Sequence, residues 1–373
     1  MCLMRIRVGL IGSGWSASAQ AFSLSSLGRV VRRSGFPEVE LRVVFSRTPA
    51  HAEALARQYG FEKWTTSESE FFGEDLDVVG IASPNNTHYP YALRALERGF
   101  NVVLEKPVAF NAREAEEIER YSRRVGRSVA VCLVSRFTPG IQVLRDLVVR
   151  GELGDFLEFR GVIAHAKHAY KDTPFEWRMD RSVAGGGVFA DIGVHVLDLS
   201  EYVTGGRVRR VFGKVYTLVG ERVDPATGLK RRVDTEDIGF AVLEYEAGAV
   251  GSVEASKVSP GFEEQMRVEV YGDRGGARFS LSEPHVLHLY RRETGRTEKI
   301  VKGYEEIYGD LAWPLPKSFE GWVFSYVILY KTFFEYLSGL REDYHPTISD
   351  GVRSQKLLDA VYESSSSGKW IEV

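Results

Sequence analysis

The chain predicts an α/β domain with a doubly wound parallel sheet, followed by an α+β domain with a large, mainly antiparallel open sheet. Three observations carry that expectation. Up to about residue 130, short strands that are apolar throughout alternate with amphipathic helical stretches, the grammar of a parallel sheet covered on both faces. Beyond it, successive strand-like segments are joined by tight turns. The length of 373 residues exceeds what one core comfortably organises, which divides the chain into 1–130 and 131–373.

The apolar runs of the first part are Ile6–Ile11, Leu41–Phe45, Val78–Ala82, Asn101–Leu104 and Ser128–Leu133. Between them Pro49–Tyr59, Tyr89–Arg98 and Ala112–Val125 have helical spacing. Right-handed crossovers turn this alternation into a nucleotide-binding fold. In the second part a helix over about Thr138–Arg150 precedes strands at Phe156–His165, Val208–Leu218, Ile238–Tyr245, Val250–Ser256 and Gln265–Tyr271. Turn signals such as Glu246-Ala247-Gly248 and Gly272 to Gly276 separate several of them. An aromatic helix is expected within Trp313–Leu340 and a closing helix around Ser349–Glu363.

Bulk properties exclude several classes. The formal net charge of −3, with both signs interspersed, gives no reason to expect nucleic acid or an anionic membrane as partner. Two cysteines exclude a disulfide framework and argue against a thiolate metal site. No apolar run has the length to span a bilayer, and the first one is too short for a signal sequence. A cytoplasmic address is the resulting expectation.

The first strand ends in Gly9-Leu10-Ile11-Gly12-Ser13-Gly14-Trp15-Ser16-Ala17. A dinucleotide loop needs one glycine for the tight turn, a second where backbone nears the pyrophosphate, and a small third residue against the strand. Gly12, Gly14 and Ala17 meet these demands, and Trp15 opens the following helix. A purely structural turn is the competing reading of these glycines. Ser46-Arg47-Thr48 stands near the end of the second strand, where a carboxylate would receive the ribose hydroxyls of NAD. A hydroxyl and a guanidinium suit a 2′-phosphate instead, so NADP is preferred over NAD. A merely solvated Arg47 is the alternative.

The strand at Val78–Ala82 runs into Ser83-Pro84-Asn85-Asn86-Thr87-His88, and the next leads to Glu105-Lys106-Pro107. Ligands of open α/β sheets bind outside such strand ends. With these motifs the sequence resembles the glucose–fructose oxidoreductase/inositol dehydrogenase/MocA family. Further matches are Ser135-Arg136-Phe137 with Pro139, Trp177-Arg178, the stretch Gly185 to His195, and the closing segment 346–373. The resemblance spans nearly the whole chain. It implies a Rossmann domain, an open sheet through which homodimers or homotetramers form, Lys106 as catalytic lysine, and Asp191 with His195 as acid/base pair. Gly12, Gly14, Trp15, Ser46, Arg47, Pro84, Asn85, His88 and Glu105 are then the candidate cofactor residues.

Asp191 and His195 are four apart and would share one helix face. Oxidising a carbinol needs a base for the hydroxyl proton; histidine suits that task, and a neighbouring carboxylate supports its charged form. Lys106 would stabilise the developing charge on oxygen. Gly185–Gly187 is expected to let backbone come close to cofactor or substrate. Without the resemblance, an Asp and a His at this spacing read equally as a surface pair. His165, Lys167, Tyr170, Trp177 and Arg178 are candidate walls of a sugar or polyol pocket, although the same stretch reads as a solvated loop. Tyr304 to Trp322 reads as core or subunit contact ahead of a lid. Arg136 is expected to pack rather than to act in chemistry. No ligand spacing points to a metal. The expected activity is hydride transfer between a nicotinamide and a sugar or polyol carbon; the alternatives are a glycosidase using bound NAD transiently and a non-catalytic ligand sensor.

Overall fold

A computed structural model describes residues 4–262, 265–311 and 323–373. The chain begins with β1 (Arg5–Ile11), α1 (Trp15–Val30), β2 (Glu38–Phe45), α2 (Pro49–Tyr59), β3 (Lys63–Thr65), α3 (Glu68–Gly73), β4 (Val78–Ile81), α4 (His88–Glu97), β5 (Asn101–Leu104), α5 (Ala112–Val125) and β6 (Val129–Val131). The six strands form one parallel sheet in the order β3-β2-β1-β4-β5-β6. Val78, Val79 and Ile81 of β4 and Val102, Val103 and Leu104 of β5 have no measurable exposure, which is why these strands read as unbroken apolar runs. Helix ends follow their local chemistry. The Asn111 side chain accepts from Glu114 N–H at the start of α5, and Gly126 ends it in the left-handed region.

A second set of elements follows: α6 (Pro139–Val149), β7 (Phe156–Ala164), α7 (Arg181–Ala184), α8 (Val194–Thr204), β8 (Val208–Tyr216), β9 (Glu221–Val223), β10 (Lys230–Arg232), β11 (Ile238–Tyr245), β12 (Val250–Ser256), β13 (Gln265–Gly272), β14 (Gly275–Ser280), β15 (Val286–Arg291) and β16 (Arg296–Val301). After α9 (Tyr304–Tyr308) and α10 (Phe324–Leu337), the chain closes with α11 (Ile348–Ser367) and β17 (Ile371–Glu372). Nine strands form a sheet in the order β16-β15-β14-β13-β7-β12-β11-β8-β17. Only β7 and β12 run parallel in it; β9 and β10 pair separately. Residues of α6, α8 and the C-terminal part of α11 share one buried cluster with the sheet. The alternate positions leave Phe212, Phe240, Val242, Val250 and Tyr290 exposed on one face of the sheet.

The compact units are discontinuous. One comprises Met1–Phe137 and Gly303–Val352, the other Thr138–Lys302 and Arg353–Val373. A single boundary after residue 130 therefore differs from the contact pattern. The reason is α10, which is apolar nearly all round and must be covered on every side. Tyr330, Phe333 and Phe334 have 0% exposure and join α1 residues Leu24 and Leu27 in one core. Residues 313–322 of the expected aromatic helix, with Trp313, Phe319 and Trp322 of the lid reading, lie outside the described residues. The stretch Arg181–Thr204 is long and apolar enough to cross a membrane, yet it is mostly buried inside the protein, as a core helix is.

Candidate functional site

The first unit carries the candidate cofactor residues at the carboxyl ends of its strands. At Gly12 the backbone has φ +116°, and a Cβ there would lie 2.3 Å from the Ala82 carbonyl oxygen. Only glycine lets β1 turn this close to the end of β4. At Gly14, which caps α1, a Cβ would meet nothing within 4 Å. The first turn of α1 holds no acidic residue, so the N–H groups and dipole of its N-terminus suit an anion. Ala17 is fully buried, as the third position demands, whereas Trp15 is 56% exposed. Ser13 and Ser46 join hydroxyls at 2.7 Å, tying the glycine loop to the end of β2, with Arg47 exposed beside them. These features fit a dinucleotide.

Beyond β4, Asn85 opens a single 3-10 turn, and the Pro84 carbonyl accepts from Thr87 N–H at 2.9 Å. His88 is turned inward. It is 1% exposed, and its ring nitrogens lie 2.8 Å from the Pro107 carbonyl and 2.9 Å from that of Ser83. Burial pushes its pKa down, against the pull of the Pro107 carbonyl and Glu105. His88 thus packs its ring between the 83–87 loop and the Lys106-Pro107 loop, where as a neutral imidazole it donates to one of the two carbonyls. Glu105 is also interior, at 4% exposure: its Oε1 accepts from Gln20 at 3.1 Å and from Tyr326 at 2.8 Å. Tyr330 completes the network by donating to Gln20 at 2.7 Å. Burial, then the Glu105 charge, pushes the Tyr326 phenol well up. The assignment of Glu105 to the cofactor gives way to a role beneath the adjacent, half-buried Lys106. Arg136 pairs with Asp350 at 2.9 Å, a packing role.

In the second unit Asp191 lies in a π-helical turn, Phe189–Gly193, that continues into α8 carrying His195. The uniform α-helix expected here is corrected by this wider turn, a feature often found at functional sites. Gly186 and Gly187 let neighbouring protein groups come close. A Cβ on Gly186 would lie 2.1 Å from the Tyr362 hydroxyl, and one on Gly187 2.2 Å from the Glu236 carbonyl. Buried Glu236 satisfies the start of the turn: its Oε1 accepts from Gly187 N–H at 2.8 Å, Phe189 N–H at 3.3 Å and the Tyr362 hydroxyl at 2.5 Å. Burial first, then the Glu236 charge, pushes the Tyr362 phenol well up.

Asp191 sits between two cations, with Arg178 Nε 3.2 Å from Oδ1 and Lys257 Nζ 2.9 Å from Oδ2. Of the pocket candidates, Arg178 thus reaches Asp191, with its guanidinium 4.4 Å from the Trp177 ring. His165, at the end of β7, is held down to about 4: burial dominates, Lys257 adds to it, and Asp191 opposes it. Its Nδ1 accepts from Lys167 N–H at 3.1 Å. Lys167 itself turns to Glu176 at 2.7 Å, and Tyr170 is 53% exposed. The loop is built rather than loose. Buried His168 faces Asp237 at 3.2 Å and Glu176 at 3.4 Å, and Arg222 from β9 donates to the carbonyls of His168 and Tyr170.

Sequence reasoning missed Lys257, Glu236, Asp237, Arg222 and Tyr362. The acidic pair Glu236-Asp237 directly before an apolar strand was the available signal; nothing local marks Lys257, whose partner is distant in sequence. Among the described residues no group of three or more His, Cys, Asp or Glu side chains could hold a metal ion. What the second unit assembles is an imidazole and a carboxylate on one helix, the latter with cations at both oxygens. That arrangement can accept hydroxyl hydrogen bonds and move a proton.

Comparisons with known proteins give the family. Residues 6–133 match the oxidoreductase family model for the NAD-binding Rossmann fold, and residues 145–373 match the model for the C-terminal alpha/beta domain of that family. The chain is 26% identical over 389 residues to levoglucosan dehydrogenase of Pseudarthrobacter phenanthrenivorans, covering 100% of this chain and 99% of the other. It is 28% identical to D-glucoside 3-dehydrogenase of Escherichia coli, over 80% of this chain and 82% of that protein. A solved structure of levoglucosan dehydrogenase in complex with NADH and levoglucosan superposes with a TM-score of 0.92 at 26% identity, covering 99% of this chain and 100% of that one. The chain therefore belongs to the glucose–fructose oxidoreductase/inositol dehydrogenase/MocA family of oxidoreductases.

Proposed function

We propose that this oxidoreductase oxidises a carbinol of a sugar or polyol, or reduces the matching carbonyl, with NADP preferred over NAD. The observation that carries the reading is Asp191 on a π-helical turn one step before His195, with both carboxylate oxygens paired to cations. The relatives that act on levoglucosan and D-glucosides support the substrate class. When bound, the nicotinamide supplies the two-electron acceptor or donor. Gly12, Gly14 and the start of α1 would hold the pyrophosphate of the bound dinucleotide, with Pro84 and Asn85 at the end of β4. Lys106 stabilises negative charge developing on the reacting oxygen, His195 exchanges the hydroxyl proton, and Asp191 accepts a substrate hydrogen bond. Arg178, Trp177 and His165 wall the sugar.

The NADP preference rests on Ser46 and Arg47 in place of a carboxylate at the end of β2. The exposed apolar residues of the nine-stranded sheet, Phe212, Phe240, Val242 and Val250 among them, support assembly into a homodimer or homotetramer through that face. The test is a titration with NADH and with NADPH, followed by tryptophan quenching. Turnover is then measured at 340 nm with levoglucosan, alkyl glucosides and inositols. Binding of a reduced cofactor with turnover of one of these is the expected result. Binding without turnover of any of them refutes the substrate class, and tighter NADH binding refutes the NADP preference.

A further inference from the structure

Lys257 lies just past β12 and is only 1% exposed. Its backbone is fixed on both sides: the N–H donates to the Asp237 carbonyl at 2.8 Å, and its own carbonyl accepts from His168 N–H at 2.8 Å. The side chain carries an ammonium into the interior, where a charge is tolerated only beside a partner. Asp191 Oδ2, 2.9 Å away, is that partner.

The charged and titratable groups around Asp191 come from several elements. Lys257 approaches from the end of β12, and Arg178 from the turn Trp177–Met179. His165, from the end of β7, interacts electrostatically with both Asp191 and Lys257. His195 follows one turn along the same helix. His165 is uncharged near neutrality, since burial holds it down to about 4. The carboxylate therefore answers two fixed cations, one on each oxygen.

We propose that Lys257 is a positioning residue for Asp191, holding it as an oriented carboxylate that accepts from a substrate hydroxyl and leaves proton transfer to His195. The inference rests on the sugar or polyol reading above, but the pairing can be tested apart from it. Exchange of Lys257 for methionine removes the charge at nearly constant length. The carboxylate then keeps its proton to higher pH, so the acidic limb of kcat/KM moves up.

The experiment compares wild type, Lys257→Met, Asp191→Asn and the double variant by thermal unfolding, by NADH and NADPH titration, and by the pH profile of kcat/KM. Asp191→Asn is expected to lower Tm more when Lys257 is present than when methionine replaces it, because only then is a buried ammonium stranded. Lys257→Met is expected to raise the acidic limb by about one pH unit and lower kcat/KM about tenfold, with cofactor binding unchanged. Additive Tm changes, or a wild-type pH profile in Lys257→Met, overturn the proposal while the sugar reading stands. Coupled Tm values in a protein that turns over no sugar or polyol support the pairing and refute the substrate reading. If Lys257→Met does not fold, a folded double variant supports the pairing; failure of both overturns it.

Discussion

Glu236→Gln tests how the helix carrying Asp191 and His195 is held. The wild-type carboxylate accepts three donors on Oε1 and pairs through Oε2 with Arg181 at 3.3 Å. Glutamine can keep a carbonyl oxygen toward Gly187, Phe189 and Tyr362, which leaves its NH2 against the Arg181 guanidinium. Arg181 is 44% exposed, so losing that pair costs under about 1 kcal/mol. Losing the negative charge weakens three charge-assisted bonds by roughly 0.5–1 kcal/mol each. The total is about 1.5–4 kcal/mol, which for a unit of this size lowers Tm by roughly 3–15 °C. The helix carrying Asp191 and His195 loses its anchor, and misplacement of this kind lowers kcat on the order of 10- to 100-fold. Calorimetry and steady-state kinetics read both effects. Cofactor affinity, set by residues of the other unit, stays unchanged. A wild-type Tm together with a wild-type kcat refutes the reasoning, because Glu236 would then be a spectator.

Lys106→Met and His195→Ala are each expected to abolish turnover with cofactor affinity nearly intact; equal loss of folding and cofactor binding would make these positions structural. Arg47→Glu is expected to weaken NADPH binding far more than NADH binding, and unchanged selectivity removes the case for a phosphate-reading guanidinium. His165 gives a pH dependence of stability. The unfolded chain takes up the proton near 6.5 and the folded one only near 4, so the unfolded state binds more protons in between. Stability therefore falls as pH drops through that window. His165→Gln flattens this slope in urea titrations, and an undiminished slope assigns it to other groups.

Much of the fold was legible because its signals are local. The runs Ile6–Ile11 and Asn101–Leu104 are apolar at every second or successive position, and Pro49 and Gly60 punctuate α2. Family motifs carried the candidate residues further than spacing did, since Asp191 and His195 alone also read as a surface pair. Less was legible for the hairpin β9–β10, whose Lys230–Arg232 strand is wholly exposed and charged. Its value lies in Arg222, which reaches loop carbonyls about fifty residues away in sequence.

The sequence by itself determined the parallel sheet, its glycine loop and the longer strands and helices, because periodicity and φ demands act over a few residues. Tertiary structure decided what the motif residues touch. It turned His88 and Glu105 inward, brought α10 back to the first unit, and replaced a plain helix by a π-helical turn anchored on Glu236. It also set Lys257 against Asp191, 66 residues apart in the chain. The physical reason is the cost of burying charge and polar groups. That cost is settled only when distant strands and helices supply partners, and no local pattern in the chain records which partner arrives.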